Sequence, residues 1–260
     1  MERRPGMGCL KSPYDSRDYQ FSDLVTGIDR TEYQEEYIPE YEVEFFDQGQ
    51  TSMCCACATA MSRYIHELTD SGNECQMSPM YIYGNRAESV VEDGIYEGEG
   101  MYLKDALKQL VHAGDCFYDT LPGFADYQRC KKMYYNTKTR ADAEALPYRV
   151  SSYYAVKTQK EVMRAIMQTG SVLAAYMVTT GWYKTGSDGI ITISGEEEGG
   201  HAILITGWKV IDGKKHWIIL NSWGKEWGDS GYGYINADVK FMEAYCILDS
   251  VHEAKIKATE

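Results

Sequence analysis

The periodicity of the apolar residues changes near Gly170, and this change limits the folds open to the chain. Before it, apolar residues recur at helical spacing, most clearly over 101–113 and 158–169. After it, short apolar runs bounded by turn residues are typical of strands, and Asp212-Gly213 is a strong hairpin signal between two of them. A helical half followed by an antiparallel β half predicts an α+β fold of two lobes with a cleft between them.

Local signals predict where several elements begin and end. A buried central helix should begin near Met53 with Ser52 as its N-cap, because the run from 54 to 65 is small or apolar on nearly all sides. Another helix should open at Ser78-Pro79, since proline suits the first helical position. The remaining predicted helices cover 101–113 and 158–169, and the predicted strands cover 171–178, 189–193, 202–210, 216–220 and 231–235.

Charge and the length of the apolar runs each disfavour one class of partner. The net charge is −13, whereas binding to phosphates needs a basic face, so we expect no nucleic-acid partner. No apolar run reaches the about 18 residues that span a bilayer, so we expect no membrane partner. The first residues also lack the apolar stretch of a secretory signal.

Three of the eight cysteines cluster at Cys54, Cys55 and Cys57. A metal site is a poor interpretation, because such close neighbours do not easily direct three thiolates at one tetrahedral ion. A redox pair of adjacent thiols and a catalytic nucleophile are the other two interpretations. The rest of the chain has to decide between them.

Three segments carry residues that suit nucleophilic catalysis. They are Asp47-Gln48-Gly49-Gln50-Thr51-Ser52-Met53-Cys54, then Gly199-Gly200-His201-Ala202, and then Trp217 to Gly228, which contains Asn221-Ser222-Trp223-Gly224. Together and in this order they resemble the papain-like cysteine peptidases over about residues 38–250. The family's His and Asn follow its Cys by about 130–150 residues; His201 lies 147 residues after Cys54, and Asn221 lies 167.

The resemblance implies a papain-like two-lobed fold, with a helical lobe over about 50–150 and an antiparallel, β-barrel-like lobe over about 151–250. It implies that Cys54, at a helix start that lowers a thiol pKa, is the nucleophile. His201 would be the general acid and base, and Asn221 would orient it. Gln48 would stabilise the oxyanion together with the Cys54 backbone N–H. No metal and no cofactor are implied.

The resemblance also implies the substrate-binding residues. These are Gly100, Met101, Tyr102, Ala174, Gly200, Ala202 and Trp223, the last of which would shield the bond between His201 and Asn221 from water. Most of these residues are apolar or aromatic, so we expect a peptide or protein substrate with a hydrophobic side chain two residues before the cut.

Two departures from the family bear on location and origin. Thr51 stands where the family has a half-cystine, and Glu97-Gly98-Glu99-Gly100 also lacks Cys, so that disulfide cannot form. A chain without it suits a reducing compartment, and we expect a cytoplasmic protein. The segment from Ser12 to Tyr19 is similar to an element near the N-terminus of bacterial papain-like peptidases, which favours a bacterial or phage origin.

The N-terminal 47 residues contrast with the rest. Seven acidic residues and no Lys or Arg lie between 31 and 47, and Pro39 interrupts any helix there, so we expect an extended, partly ordered arm. We predict that residues 1–37 form an N-terminal extension that packs on the body and in part covers the cleft, and that residues 38–260 form the catalytic domain.

Three functions are compatible with these residues. The favoured one is a cysteine endopeptidase working through a thioester on Cys54. A cell-wall peptide amidase uses the same Cys and His, but the Asn-Ser-Trp-Gly run argues against it. A non-catalytic homologue that binds peptides is disfavoured because Cys54, His201, Asn221 and Gln48 are all present.

Overall fold

A computed structural model of the chain describes residues 4–249, apart from 26, 29–30, 87–89, 92–93 and 96–97; of residues 90–91 and 94–95 it describes the backbone. The helices are α1 Phe21–Leu24, α2 Cys54–Ser71, α3 Pro79–Gly84, α4 Leu103–His112, α5 Tyr127–Ala145 and α6 Gln159–Thr169. The strands are β1 Cys9–Leu10, β2 Val90–Val91, β3 Gly94–Ile95, β4 Met101–Tyr102, β5 Ser152–Ala155, β6 Val172–Thr179, β7 Glu197–Ile211, β8 Lys214–Leu220, β9 Tyr232–Asn236 and β10 Glu243–Leu248.

Six strands form one antiparallel sheet in the order β5-β10-β6-β7-β8-β9, and two small pairs, β1-β4 and β2-β3, lie outside it. Within the described residues the edge strands β5 and β9 do not pair with each other, so this sheet is open rather than a closed barrel. Helices α2 to α5 precede it in the chain. The α+β class with two lobes, predicted from the sequence, is confirmed.

The central helix is α2, and the prediction that it is buried is confirmed. Its residues from 54 to 66 are all buried, and α2 packs against β7. The predicted N-cap is wrong, because α2 begins at Cys54, its N-cap is Met53, and no side chain there caps the helix. The first turn of α2 therefore has no side-chain cap, and its unpaired backbone N–H groups favour a thiolate at Cys54.

The sheet separates two apolar cores because successive side chains of a strand point to opposite faces. Leu173 and Ala175 lie in the core that contains α2, whereas Val172, Ala174 and Tyr176 lie in the core that contains α6. This alternation along β6 decides which of its residues can reach the cleft.

The hairpin predicted at Asp212-Gly213 joins β7 to β8. Both residues have positive φ, 50° and 71°, as a two-residue turn that follows the twist of the strands requires. The strand predicted over 189–193 is wrong. Only Ile190 makes a bridge, to Tyr234, because glycines with positive φ at 189 and 195 turn the chain away at each end.

Candidate active site

The Cys54 thiol lies at the first residue of α2 and has no exposed surface. Burial alone would raise the pKa of this thiol, but hydrogen bonds from Cys55 and His201 and the charge of His201 outweigh it and hold the pKa well below the usual range. A lowered pKa favours the thiolate, which is the nucleophilic form of the thiol.

The imidazole of His201 is positioned by two strands. His201 lies within β7, opposite Tyr176 of β6, and Asn221 directly follows Leu220 at the end of β8. The Nε2 atom of His201 lies 2.7 Å from Asn221 Oδ1. Nε2 is the donor of this hydrogen bond, because an amide oxygen can only accept. This bond leaves Nδ1, which is buried and has no partner among the described residues, as the ring nitrogen available to Cys54.

The indole of Trp223 covers this pair. Its ring centroid lies 4.7 Å from that of His201 at an interplanar angle of 33°, and Trp223 itself is buried. Tyr183 stacks on its other side at 5.6 Å. Trp223 thus packs against the His201 ring, where the family resemblance expected it.

Gln48 is brought to the site by pairing between two loops. Its backbone N–H donates to the Ser222 carbonyl at 2.9 Å, and Asp47 makes a bridge with Trp223. The side-chain Oε1 accepts from Ser222 Oγ at 2.6 Å, so the Nε2 donors must point the other way. Sequence reasoning assigned no role to Ser222; its place in the Asn-Ser-Trp-Gly run was the available signal.

The amide donors of Gln48 are both engaged. Nε2 donates to the Thr51 carbonyl at 2.7 Å and to the Gly6 carbonyl at 3.1 Å. The second acceptor belongs to the N-terminal segment, and Gly6 also donates its own N–H to the Gly49 carbonyl at 2.9 Å. The Gly6 carbonyl therefore accepts from Gln48 Nε2, the donor that the sequence analysis assigned to the oxyanion of the substrate.

Residues 4–12, here called the N-terminal strap, continue along the predicted subsite. Gly8 accepts from the Met101 N–H at 2.8 Å, and Cys9 pairs with Met101 in the parallel bridge β1-β4. A Cβ atom at Gly200 would lie 2.1 Å from the Cys9 carbonyl oxygen, so only glycine allows this approach. The strap ends at Ser12, whose hydroxyl donates to Glu243 at 2.9 Å.

The predicted substrate-binding residues fall into two groups. Gly100 and Tyr102 flank Met101 in contact with the strap, and Gly200 and Ala202 follow on β7 beside His201. Ala174 lies elsewhere, in the core around α6, because the register of β6 turns it to the far face. Its neighbour Ala175 pairs with Ala202 and shares a core with Met101 and Cys54. The sequence assignment was thus one residue out of register.

Glu243 was not found from the sequence. Its carboxylate lies beyond Ala175, accepts from both the N–H and the hydroxyl of Ser12, and has a raised pKa because burial disfavours its charge. The signal that could have found it is weak, since a single Glu precedes an apolar strand in the sequence.

The other clustered thiols point to different neighbours. Cys55 donates to the Met101 carbonyl at 3.3 Å, while Cys57 contacts Ser222, and burial raises the pKa of both thiols well above the usual range. Among the described residues no group of three His, Cys, Asp or Glu side chains is arranged to hold a metal ion. Within the same residues no helix is long and apolar enough to cross a bilayer.

A known protein family matches most of this chain. Residues 42–254 match the family described as "Papain family cysteine protease". The chain belongs to the papain family. This match covers the whole of the site apart from the strap, and it includes Cys54, His201, Asn221 and Gln48.

Part of the chain is similar in sequence to curated cysteine proteinases. It is 32% identical over 146 residues to a gut-specific cysteine proteinase of Caenorhabditis elegans, covering 56% of this chain and 42% of that protein. It is 28% identical over 154 residues to a cysteine protease of Blomia tropicalis, covering 55% of this chain and 43% of that protein. The chain therefore spans less than half the length of these curated relatives.

Two solved structures share the fold over nearly the whole chain. Xylellain, a cysteine protease from Xylella fastidiosa, superposes with a TM-score of 0.76 at 22% identity, covering 96% of this chain and 98% of that chain. Procathepsin B S9 from Trypanosoma congolense superposes with a TM-score of 0.69 at 19% identity, covering 95% of this chain and 86% of that chain. At these identities the likeness establishes the papain-like fold.

Proposed function

We propose that this papain-family chain is a cysteine endopeptidase. The observation that carries the proposal is the Cys54 thiol with its lowered pKa, in contact with His201, whose Nε2 donates to Asn221 at 2.7 Å. An activated nucleophile, a base beside it and a third group orienting the base are the parts that acyl transfer needs.

The reaction follows from these parts. The Cys54 thiolate attacks the carbonyl carbon of a peptide bond, and the negative charge moves to the carbonyl oxygen, where Gln48 Nε2 and the Cys54 N–H stabilise it. As the C–N bond breaks, His201 gives its proton to the leaving amine and a thioester remains on Cys54. His201 then takes a proton from water, the hydroxide attacks the thioester, and the acid product leaves with the thiolate restored.

We propose a hydrophobic side chain two residues before the cut. The wall that would receive it combines Gly100, Met101 and Ala202 with Ala175, which replaces the residue expected from the sequence. Glu243 lies at the far end of this wall. A free carboxylate there would instead favour a substrate with a basic side chain at this position, so a test of specificity can separate the two possibilities.

We also propose that the N-terminal strap limits access of substrate to this site. The support is that the Gly6 carbonyl accepts from Gln48 and that Cys54 has no exposed surface. A peptide can reach the thiolate only after these contacts open.

We propose that the protein is cytoplasmic and that it comes from a bacterium or a phage. The eight cysteines of the chain are all unpaired, which is compatible with a reducing compartment.

The experiment that tests the endopeptidase proposal is a library of internally quenched peptides, assayed with the full chain, with Cys54→Ala and with the matched control Cys57→Ala. We expect cleavage by the full chain and by Cys57→Ala, and a loss of at least about 10³-fold for Cys54→Ala. Cleavage retained by Cys54→Ala, or no cleavage of any peptide by the full chain, would contradict the proposal. A strict preference for Arg two residues before the cut would assign specificity to Glu243 and contradict the hydrophobic subsite.

A further inference from the structure

The strap places a thiol beside the first turn of α2. Cys9 pairs with Met101 in the bridge β1-β4, and Gly8 accepts from the Met101 N–H. On the opposite side, the Cys55 thiol donates to the Met101 carbonyl at 3.3 Å. One residue, Met101, therefore holds the strap and the thiol of α2 next to each other.

The three thiols lie close enough to act on one another. Cys55 affects the pKa of Cys9 and that of Cys54, and burial raises the pKa of Cys55 itself. All three are buried, with Cys9 at 4% exposure and the other two at 0%. The close approach of the Cys9 carbonyl to Gly200 fixes the backbone of Cys9 against β7. Neither Cys9 nor Cys55 forms a covalent bond in the proposed peptidase reaction, although Cys55 contributes to the lowered pKa of Cys54.

We propose that Cys9 and Cys55 form a reversible disulfide that fastens the N-terminal strap over the active site when the protein reacts with a peroxide. The inhibitory effect of this disulfide rests on the proposed function, whereas the disulfide itself does not.

The Cys54 thiolate is the point of entry. It attacks the terminal oxygen of the peroxide, the O–O bond breaks, and Cys54 becomes a sulfenic acid while hydroxide leaves from hydrogen peroxide, or alkoxide from an alkyl hydroperoxide. The Cys9 sulfur attacks the Cys54 sulfur and gives up its proton, so that the sulfenic oxygen leaves as water and a Cys9–Cys54 disulfide forms. The Cys55 sulfur then attacks the Cys9 sulfur, giving up its proton, and Cys54 leaves as a thiolate. In total two thiols lose two electrons and two protons, and the peroxide is reduced to water or to water and an alcohol.

Two arguments place the final bond at Cys55. Thiol–disulfide exchange expels the thiol of lowest pKa most readily, and that thiol is Cys54. A bond between Cys54 and Cys55 is disfavoured because consecutive Cα atoms lie about 3.8 Å apart, short of the about 4.4–6.8 Å that disulfides span. The product therefore leaves the nucleophile intact beneath a fastened strap.

The test treats the full chain with hydrogen peroxide in small molar excess, blocks free thiols by alkylation at low pH, and maps the peptides by mass spectrometry. We expect a loss of two hydrogens per chain and a peptide pair joined through Cys9 and Cys55 that dithiothreitol separates. A final linkage of Cys9 to Cys54, a Cys54–Cys55 disulfide, or sulfinic acid at Cys54 as the main product would each overturn the proposal. This mapping needs no peptidase activity, so its result is independent of whether the proposed function holds.

Three variants sharpen the result: Cys9→Ser, Cys55→Ser and the matched control Cys75→Ser, which removes an exposed thiol. Circular dichroism checks that each one folds, and Cys55→Ala replaces Cys55→Ser if the serine variant does not. After peroxide and then dithiothreitol, the wild type and Cys75→Ser should recover peptidase activity, and Cys9→Ser should recover at least about tenfold less because Cys54 proceeds to sulfinic acid. Equal recovery by Cys9→Ser and the wild type would overturn the proposal.

Discussion

Cys54 depends on its neighbours for its reactivity, since a lone buried thiol would have a raised pKa. Cys57, three residues further along α2, shows that outcome: burial dominates and its pKa is raised well above the usual range. Cys54 differs because Cys55 and His201 both contact its sulfur. At the scale of single residues, these contacts separate a nucleophile from a packing residue.

The pH dependence of peptide hydrolysis follows from the lowered pKa of Cys54. The thiolate stays charged at pH values below the about 8.5 of a free thiol, so activity should persist there and fall only at more acidic pH, as the thiolate is protonated. It should fall again at alkaline pH, when the proton needed by the leaving amine is lost. We therefore expect a bell-shaped plot of kcat/KM against pH, with limits that belong to the coupled pair. A rate that only rises through about pH 8.5 would mean that Cys54 is an ordinary thiol.

Gln48 gives a second prediction at this scale. Gln48→Glu keeps the size of the side chain and the acceptor for Ser222 but removes the Nε2 donor. We expect kcat for peptide hydrolysis to fall by about 10²-fold, the cost of one oxyanion donor, with a smaller change in KM. Gln50→Glu, at an exposed position two residues along the same loop, should leave kcat unchanged. A wild-type kcat in Gln48→Glu would remove Gln48 from the oxyanion site.

The elements differ in how clearly the sequence marks them. Helix α6 carries a complete capping box: Thr158 Oγ1 accepts from Glu161 N–H at 3.2 Å, and Glu161 Oε2 accepts from Thr158 N–H at 3.3 Å. Helix α5 was not predicted. Its buried stripe consists of Tyr127, Cys130, Tyr134, Ala141 and Ala145, which follow helical spacing but give a faint apolar signal because they are small or carry polar groups.

The capping box supports a prediction at the scale of elements. Thr158→Ala removes the side-chain acceptor for the first turn of α6 and should lower the free energy of unfolding by about 1 kcal/mol. Urea unfolding monitored by tryptophan fluorescence measures the difference. Thr139→Ala, on the exposed face of α5, is the matched control, and because alanine favours helix more than threonine it should raise the free energy of unfolding by about 0.5 kcal/mol rather than lower it. Equal effects of the two substitutions would show that the cap contributes nothing.

At the scale of the whole molecule, the N-terminal 37 residues serve two purposes. The strap contacts the active site, whereas Phe21 and Val25 are buried in the core around α6 and Tyr37 stacks on Trp208 at 5.1 Å. Ala155 also donates its N–H to the Tyr19 carbonyl at 2.8 Å. Removing all 37 residues would therefore expose the core as well as the cleft, and the proposed gating must be tested with a shorter deletion.

A chain lacking residues 2–12 should hydrolyse small peptides faster while remaining folded. If the strap leaves the site open less than a tenth of the time, we expect kcat/KM to rise by at least about tenfold. The single substitution Gly8→Ala should act in the same direction, since its Cβ would lie 2.2 Å from the Ser52 carbonyl oxygen. Gly186→Ala, where the nearest atom would be 3.8 Å away, is the matched control. If the deletion of residues 2–12 and Gly8→Ala both leave kcat/KM and the thermal stability unchanged, the strap does not limit access of substrate.

By itself the sequence located the central helix and the hairpin at Asp212-Gly213, and its resemblance to papain-like peptidases supplied the candidate catalytic residues. The helix and the hairpin depend on short-range signals: a run of small or apolar residues, or two residues able to adopt positive φ. The same signals could not decide the contacts of the strap. The bond from Gln48 to Gly6 spans 42 positions of the chain, and only packing brings those atoms together.

Tertiary structure also decided which face of β6 meets the cleft. A strand alternates its side chains, so an error of one position moves a residue to the other core, as happened with Ala174 and Ala175. The contact of Cys9 with Cys55 likewise depends on Met101, on a separate strand, and on the absence of a side chain at Gly200. These arrangements depend on where distant segments pack, and the free energy that selects them comes from burying the whole core rather than from any local pattern.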